Sequence, residues 1–235
     1  MAMAVAANAG NAVKDRLFFG GMTLMLAVVV FWGFAPSFYL RRVLKGTNVL
    51  TPGLILHGIV FTLWIALLVL QAALISLRRV RLHRRLGIIG VAVAVLMTVL
   101  AGHVAVSRAT LPGAPPLQFL AIPLATVVVF PALFAMAIHF RHRAQIHKRL
   151  ILLATCEVIS AAVARLPGVA AVGPIGFFGG VDLFVGAMAI YDYAVYRRLN
   201  PATIFGGLFL VVSQPVRIWI GQSEWWLTFA SWLTT

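Results

Sequence analysis

Residues 86–107 read LGIIGVAVAVLMTVLAGHVAVS, a run that contains no Lys, Arg, Asp or Glu. Arg84 and Arg85 precede this run, and Arg108 follows it. A hydrocarbon layer about 30 Å thick is crossed by about 20 helical residues, so the run is long enough to span a membrane. Its apolar residues are continuous and do not alternate with polar ones, which argues against a barrel strand. We therefore predict a transmembrane helix here.

Six further stretches of the chain have the same character and predict an all-α polytopic bundle of about seven spans. We divide the chain into an N-terminal segment (1–16), the bundle (17–220) and a Trp-rich segment (221–235) that lies in the membrane interface. The spans are predicted at 17–40, within 46–77, at 86–107, within 109–140, at 150–166, at 175–196 and at 199–220.

The composition of the chain supports a membrane protein. Hydrophobic residues make up 62% of the chain and charged residues 10%, against roughly half and about a quarter in an average soluble domain. A soluble globule of this size cannot hide so much apolar surface. The single cysteine excludes a disulfide scaffold. The net charge of +14 comes from short basic clusters between apolar runs, so we predict lipid contact and no nucleic-acid partner.

The basic residues are distributed unequally between the two ends of the predicted spans. With seven spans, thirteen of the nineteen Lys and Arg residues fall on the side of the N-terminus, and this bias predicts a cytoplasmic N-terminus and an outer C-terminus. The six on the other side are Arg41, Arg42, Lys45, Arg108, Arg165 and Arg217.

Three connections on the N-terminal side end in similar short sequence motifs, which suggests one helix followed by three helical hairpins. These basic motifs are His83-Arg84-Arg85-Leu86, His147-Lys148-Arg149-Leu150 and Tyr196-Arg197-Arg198-Leu199. The alternative interpretation is that any cytoplasmic loop attracts basic residues.

His57 and His103 lie in consecutive predicted spans at similar heights. Counted from Arg78 and Arg85, at about 1.5 Å per residue, their heights differ by about 5 Å. Two imidazoles at one level are able to ligate a b-type haem or another metal, and this is one prediction. The propionates of a haem would then meet arginines of the same side, namely Arg41, Arg42, Arg108 and Arg165. The alternative is that each histidine only hydrogen-bonds a neighbouring helix.

Other polar residues inside the spans are candidates because ionisable groups are costly in a bilayer. We predict a buried polar cluster of Glu157, Arg165, Asp182 and Gln71. Arg165 and Asp182 fall at similar heights, so we expect them to form an ion pair. Glu157 has no obvious cation, and we expect it to be protonated or hydrogen-bonded to a hydroxyl group.

Several of these motifs, taken together, make the chain resemble a group of bacterial multi-pass membrane proteins of unknown function. The similarity covers about residues 50–205 and rests on His83-Arg84-Arg85-Leu86-Gly87, His147-Lys148-Arg149-Leu150 and Ala164-Arg165-Leu166-Pro167. This resemblance implies a helical bundle of the bacterial inner membrane. It supplies no activity and no catalytic residue.

Three functions remain open from the sequence. The first is a redox or electron-transfer protein that binds haem between His57 and His103. The second is a non-catalytic accessory or assembly subunit of a larger membrane complex. The third is a transporter, or a membrane enzyme for a lipid, quinone or small molecule, that acts near Glu157, Arg165 and Asp182.

Overall fold

The computed structural model describes residues 2–44, 46 and 50–235, with the backbone alone for 2–9. Lys45, counted above among the outer cations, lies outside the described residues. Within these ranges the chain is helical and contains no strand, which confirms the predicted all-α class. The helices are α1 (Ala2–Phe34), α2 (Pro52–Ser76), α3 (Val80–Ala109), α4 (Leu117–His139), α5 (Ala144–Val163), α6 (Val169–Val172), α7 (Pro174–Tyr196), α8 (Gly207–Gly221) and α9 (Glu224–Thr234).

Six helical segments are long and apolar enough to cross a membrane, so the chain is a multi-pass integral membrane protein. Two of them include a π-helical turn, Ala35–Tyr39 after α1 and Ala202–Gly206 before α8. The six segments are Gly10–Tyr39, Pro52–Ser76, Val80–Ala109, Leu117–His139, Pro174–Tyr196 and Ala202–Gly221.

The seventh long helix, α5, differs from these six because it carries Lys148, Arg149 and Glu157. It is the central helix of the bundle and packs against α1, α4, α7 and α8. Eleven of its 20 residues are buried, whereas 22–33% of the most apolar window of each other long helix is buried. Its charges are therefore covered by protein and do not face lipid.

Successive long helices run in opposite directions, which gives the bundle two distinct ends. At the arginine-rich end, Lys148 at the start of α5 contacts Asp15 of α1, and Arg149 contacts Asp192 near the end of α7. The opposite end carries α9, and we call it the α9 end. There the indole Nε1–H of Trp226 donates to the Leu117 carbonyl at 3.0 Å, which fixes α9 on the start of α4.

Two glycines allow helices to approach closely at the α9 end. A Cβ on Gly33 of α1 would overlap the Ala162 carbonyl oxygen of α5. A Cβ on Gly221 of α8 would lie 2.5 Å from the Gln118 carbonyl oxygen of α4. In contrast, a Cβ on Gly20 of α1 would meet no atom within 4 Å.

The three basic motifs do not occupy equivalent positions in the fold. His83-Arg84-Arg85-Leu86 and His147-Lys148-Arg149-Leu150 lie in the first turns of α3 and α5. Tyr196-Arg197-Arg198-Leu199 instead begins at the end of α7, where Arg197 adopts a left-handed conformation (φ 53°) that ends the helix. Of the three basic motifs, only the first two are therefore structurally alike.

Candidate functional site: a buried polar cluster on four helices

Glu157 lies in a polar cluster inside the bundle, formed by α4, α5 and α8. Its Oε1 accepts hydrogen bonds from the hydroxyl of Thr126 (2.8 Å) and from Nη1 of Arg217 (2.7 Å). Its Oε2 accepts from Nη2 of Arg217 at 3.1 Å. Both side chains are almost completely buried, with 2% of Arg217 and 3% of Glu157 exposed. The pair is therefore a neutralised, bidentate ion pair in the protein interior.

Arg217 is held in place by its own helix and by an aromatic ring. Its Nη2 donates to the hydroxyl of Ser213 at 2.5 Å, and its Nε donates to the Ser213 carbonyl at 3.1 Å. The guanidinium carbon lies 5.4 Å from the ring centroid of Phe178 on α7. These contacts fix the guanidinium toward Glu157. The sequence placed Arg217 only among the helix-flanking cations, so this partner was missed.

Asp182 joins α7 to α8 through an amide. Its Oδ1 accepts a hydrogen bond from Nε2 of Gln214 at 2.8 Å. Gln214 and Arg217 are three residues apart, so they lie on one face of α8. Among the described residues, no cation forms an ion pair with Asp182. Asp182 is thus a half-buried carboxyl within the span Pro174–Tyr196 whose partner is neutral.

The predicted ion pair between Arg165 and Asp182 is wrong. Arg165 follows the end of α5 and folds back on that helix, where its Nη1 donates to the Ala161 carbonyl at 2.5 Å. Its guanidinium also lies 4.7 Å from the ring centroid of Phe34. A cation at a helix C-terminus satisfies carbonyls that have no partner in the helix. Similar heights thus did not bring Arg165 and Asp182 together.

Gln71 also lies apart from the cluster that the sequence predicted. Its Nε2 donates to the His83 carbonyl at 3.2 Å, which links α2 to the start of α3 at the arginine-rich end. Its Oε1 is buried without a hydrogen-bond partner. Of the four predicted members, Glu157 and Asp182 contact neighbouring residues of α8, whereas Arg165 and Gln71 contact other parts of the chain. The expected hydroxyl partner of Glu157 is Thr126.

Prolines interrupt the two helices that supply partners to Glu157. Pro215 lies in α8 between Gln214 and Arg217, and Pro123 lies in α4 one turn before Thr126. A proline inside a helix removes one backbone hydrogen bond and favours a kink. α8 is also preceded by the π-helical turn Ala202–Gly206. The cluster is therefore built on helices with locally weakened backbone bonding.

The two histidines lie where α2 packs against α3. Nε2 of His103 would lie 3.7 Å from a Cβ on Gly53, one turn of α2 away from His57. The ring of His57 packs on Phe61, with 4.2 Å between centroids, and its Nδ1 is buried with no hydrogen-bond partner in the part of the chain that the structure describes. Because the His103 ring lies close to Gly53 of α2, a porphyrin between the helices would have to separate them. Haem ligation by this pair stays a prediction.

The four arginines expected to meet haem propionates all lie at the α9 end. Arg41 and Arg42 line a cavity beside the start of α2, and Arg108 lies in the last turn of α3. Arg165 lies beyond α5, as described above. The described residues contain no group of three or more His, Cys, Asp or Glu side chains that would hold a metal ion.

A second buried network, at the arginine-rich end, was also missed from the sequence. Arg149 and Asp192 form an ion pair, and neither side chain is more than 1% exposed. Asp192 Oδ2 also accepts hydrogen bonds from the Thr203 hydroxyl (2.6 Å) and from the backbone N–H of Asn200 (3.1 Å). Asp15 accepts hydrogen bonds from side chains of α5 and α7, namely Gln145, Lys148, Tyr191 and Tyr196. The carboxylates of Asp15 and Asp192 accept all of these hydrogen bonds, so the network joins α1, α5 and α7.

Comparison of the chain with models of known protein families, with curated proteins and with solved structures finds no match.

Proposed function

We propose that this integral membrane protein is a transporter that moves protons across the membrane through Asp182. One observation carries the proposal: the Asp182 carboxyl lies within a membrane span and contacts the Gln214 amide, and no cation among the described residues pairs with it. The proposal is a specific form of the transporter hypothesis.

The first step of the argument concerns charge. Glu157 and Arg217 neutralise each other, so Asp182 is left without a counter-charge in this part of the bundle. An ionised group in a membrane span costs at least a few kcal/mol unless it is paired. Asp182 is therefore the group that we propose takes up and releases the proton. Its Oδ1 accepts a hydrogen bond from Nε2 of Gln214.

The second step concerns movement. Loss of the proton creates an anion that requires a new partner, and α8 presents Gln214 and Arg217 on the same face. Pro215 lies between these two residues, so a change in the kink alters both contacts together. Protonation of Asp182 thus selects between two arrangements of α8, as proton-coupled carriers require.

Carbodiimide labelling combined with proton-flux measurement tests this proposal. We expect a membrane-permeant carbodiimide to modify Asp182 in the protein in intact membranes, as located by peptide mass spectrometry. In liposomes loaded with a pH-sensitive dye, we expect an acid pulse to acidify the interior faster with the wild type than with Asp182→Asn. Glu224→Gln removes an exposed carboxyl of α9 and serves as the matched control.

Each outcome decides the proposal. Labelling and flux that are both lost in Asp182→Asn and retained in Glu224→Gln support it. Asp182 that resists the reagent, or flux that is equal in wild type and Asp182→Asn, overturns it. Labelling without flux also overturns it, because Asp182 is then only a structural hydrogen-bonding group.

Haem binding is the second candidate, favoured by the buried Nδ1 of His57, for which the described residues provide no hydrogen-bond partner. The absorption spectrum of the purified protein tests it. A Soret band that is lost in His57→Ala and in His103→Ala supports haem ligation. A colourless protein from haem-replete cells contradicts it.

We further propose the bacterial inner membrane as the location, with a cytoplasmic N-terminus. The proposal rests on the excess of basic residues at the arginine-rich end. Reporter fusions that are active in the cytoplasm at the N-terminus and in the periplasm at the C-terminus would support it, and the reverse pattern would overturn it. The accessory-subunit hypothesis predicts instead that fixed partner subunits co-purify in constant stoichiometry.

A further inference from the structure

A cavity at the α9 end lies between the π-helical turn Ala35–Tyr39 and the start of α2. Its volume is about 690 Å³. Arg41 and Arg42 contribute charge to its wall, and Phe38, Leu40 and Ile55 contribute apolar surface. Among the described residues that line the cavity, none is Asp or Glu. Cationic and apolar lining thus occur together directly after a membrane span.

Specific contacts hold this wall in place. The Phe38 ring packs so closely on α2 that a Cβ on Gly58 would lie 2.5 Å from it. The Tyr39 hydroxyl hydrogen-bonds the hydroxyl of Thr62 at 2.8 Å. The Thr62 hydroxyl also contacts the Gly58 carbonyl at 2.7 Å. The aromatic part of the cavity is therefore fixed to α2.

We propose that this cavity binds the acidic headgroup of an anionic membrane lipid. Guanidinium groups form charge-assisted hydrogen bonds with phosphate oxygens, and arginine is well suited to this contact. The residues that line the cavity beside the arginines provide apolar surface for the first part of the acyl chains. A ligand that is both anionic and apolar matches both halves of the lining, whereas free phosphate matches only one.

The site is independent of the proton exchange proposed above, since it uses residues of α2 and of the segment after α1. It assigns a role to two of the arginines that the sequence singled out, Arg41 and Arg42. Arg42 is exposed, so its replacement is expected to leave the fold intact.

The experiment uses delipidated full-length protein in a neutral detergent. Phosphatidylglycerol, phosphatidylcholine and inorganic phosphate are added separately, and the dissociation constant is read from the rise in Tm with ligand concentration. We expect phosphatidylglycerol to bind at least about tenfold more tightly than phosphatidylcholine, because phosphatidylcholine carries the same phosphate beside a choline cation, which the two guanidinium groups repel.

Two variants complete the experiment. Arg41→Gln/Arg42→Gln is expected to lose the preference for phosphatidylglycerol, whereas Arg198→Gln, at the arginine-rich end, is expected to retain it. An unchanged preference in the double variant overturns the proposal, as does an equal loss in Arg198→Gln. Inorganic phosphate that binds as tightly as phosphatidylglycerol also overturns it, because the site then recognises an ion and not a lipid.

Discussion

Arg217→Met removes the guanidinium that neutralises Glu157 and retains a long side chain to fill the space. The structure gives the size of the effect. Arg217 donates two hydrogen bonds to Glu157, at 2.7 and 3.1 Å, and only 2% of its side chain is exposed. Removal of one partner from a buried pair typically costs about 3–5 kcal/mol, since a charge is left buried alone. For a chain of this length that corresponds to a fall in Tm of roughly 6–20 °C.

The assay is thermal unfolding of the purified protein in detergent, followed by tryptophan fluorescence. Arg165→Met is the matched control, because Arg165 is also an arginine of the α9 end but forms no ion pair among the described residues. We expect the control to lose at most about 1 kcal/mol, the typical contribution of an exposed cation–π contact. The double variant Glu157→Gln/Arg217→Met leaves no charge behind, so it should be more stable than Arg217→Met.

Two results would refute this reasoning. One is an equal fall in Tm for Arg217→Met and Arg165→Met, which would mean that burial of the pair contributes nothing specific. The other is a double variant whose loss equals the sum of the two single losses. Additivity of that kind is typical of sites that do not interact.

Two further predictions concern helix packing at the α9 end. Gly33→Ala should lower the free energy of unfolding by about 1–3 kcal/mol, because the added methyl overlaps the α5 backbone, whereas Gly20→Ala should leave it unchanged or raise it by up to about 1 kcal/mol. Denaturation curves of the two variants check this prediction, and equal shifts would contradict it. Trp226→Phe should cost about 1 kcal/mol through the lost hydrogen bond to α4, while Trp225→Phe, which is exposed, should change stability by less than about 0.5 kcal/mol. A larger loss in Trp225→Phe, measured in the same way, would show that α9 is not anchored through Trp226.

The class of the fold was predictable because long charge-free runs leave few alternatives. The connection between α3 and α4 contains Pro112, Pro115 and Pro116, and helices end where prolines follow. We predicted that this span begins at residue 86, but α3 already begins at Val80. Arg81, Arg84 and Arg85 therefore belong to the first turns of the helix.

The partners of the buried charges were not predictable in the same way. Residue counting estimates the height of a side chain along its helix, and from it we expected Arg165 and Asp182 to lie at similar heights. It does not give the direction in which the side chain points, because a helix that is apolar on all sides has no polar face to orient it. A stronger signal was Arg217 itself, a basic residue inside the predicted span 199–220. Because the chain has only five acidic residues, a cation inside the bundle has few carboxylates that can serve as its partner.

The central position of α5 has a consequence for biosynthesis. Lys148, Arg149 and Glu157 make this helix expensive to release into lipid on its own, at about 2.5–3.5 kcal/mol for a single charge near the bilayer centre. The counter-charges Asp192 and Arg217 lie later in the chain and are synthesised after it. We therefore expect Arg149 and Glu157 of α5 to be neutralised by ion pairing only after α7 and α8 have been synthesised, so the insertion of α5 is expected to depend on the last third of the chain.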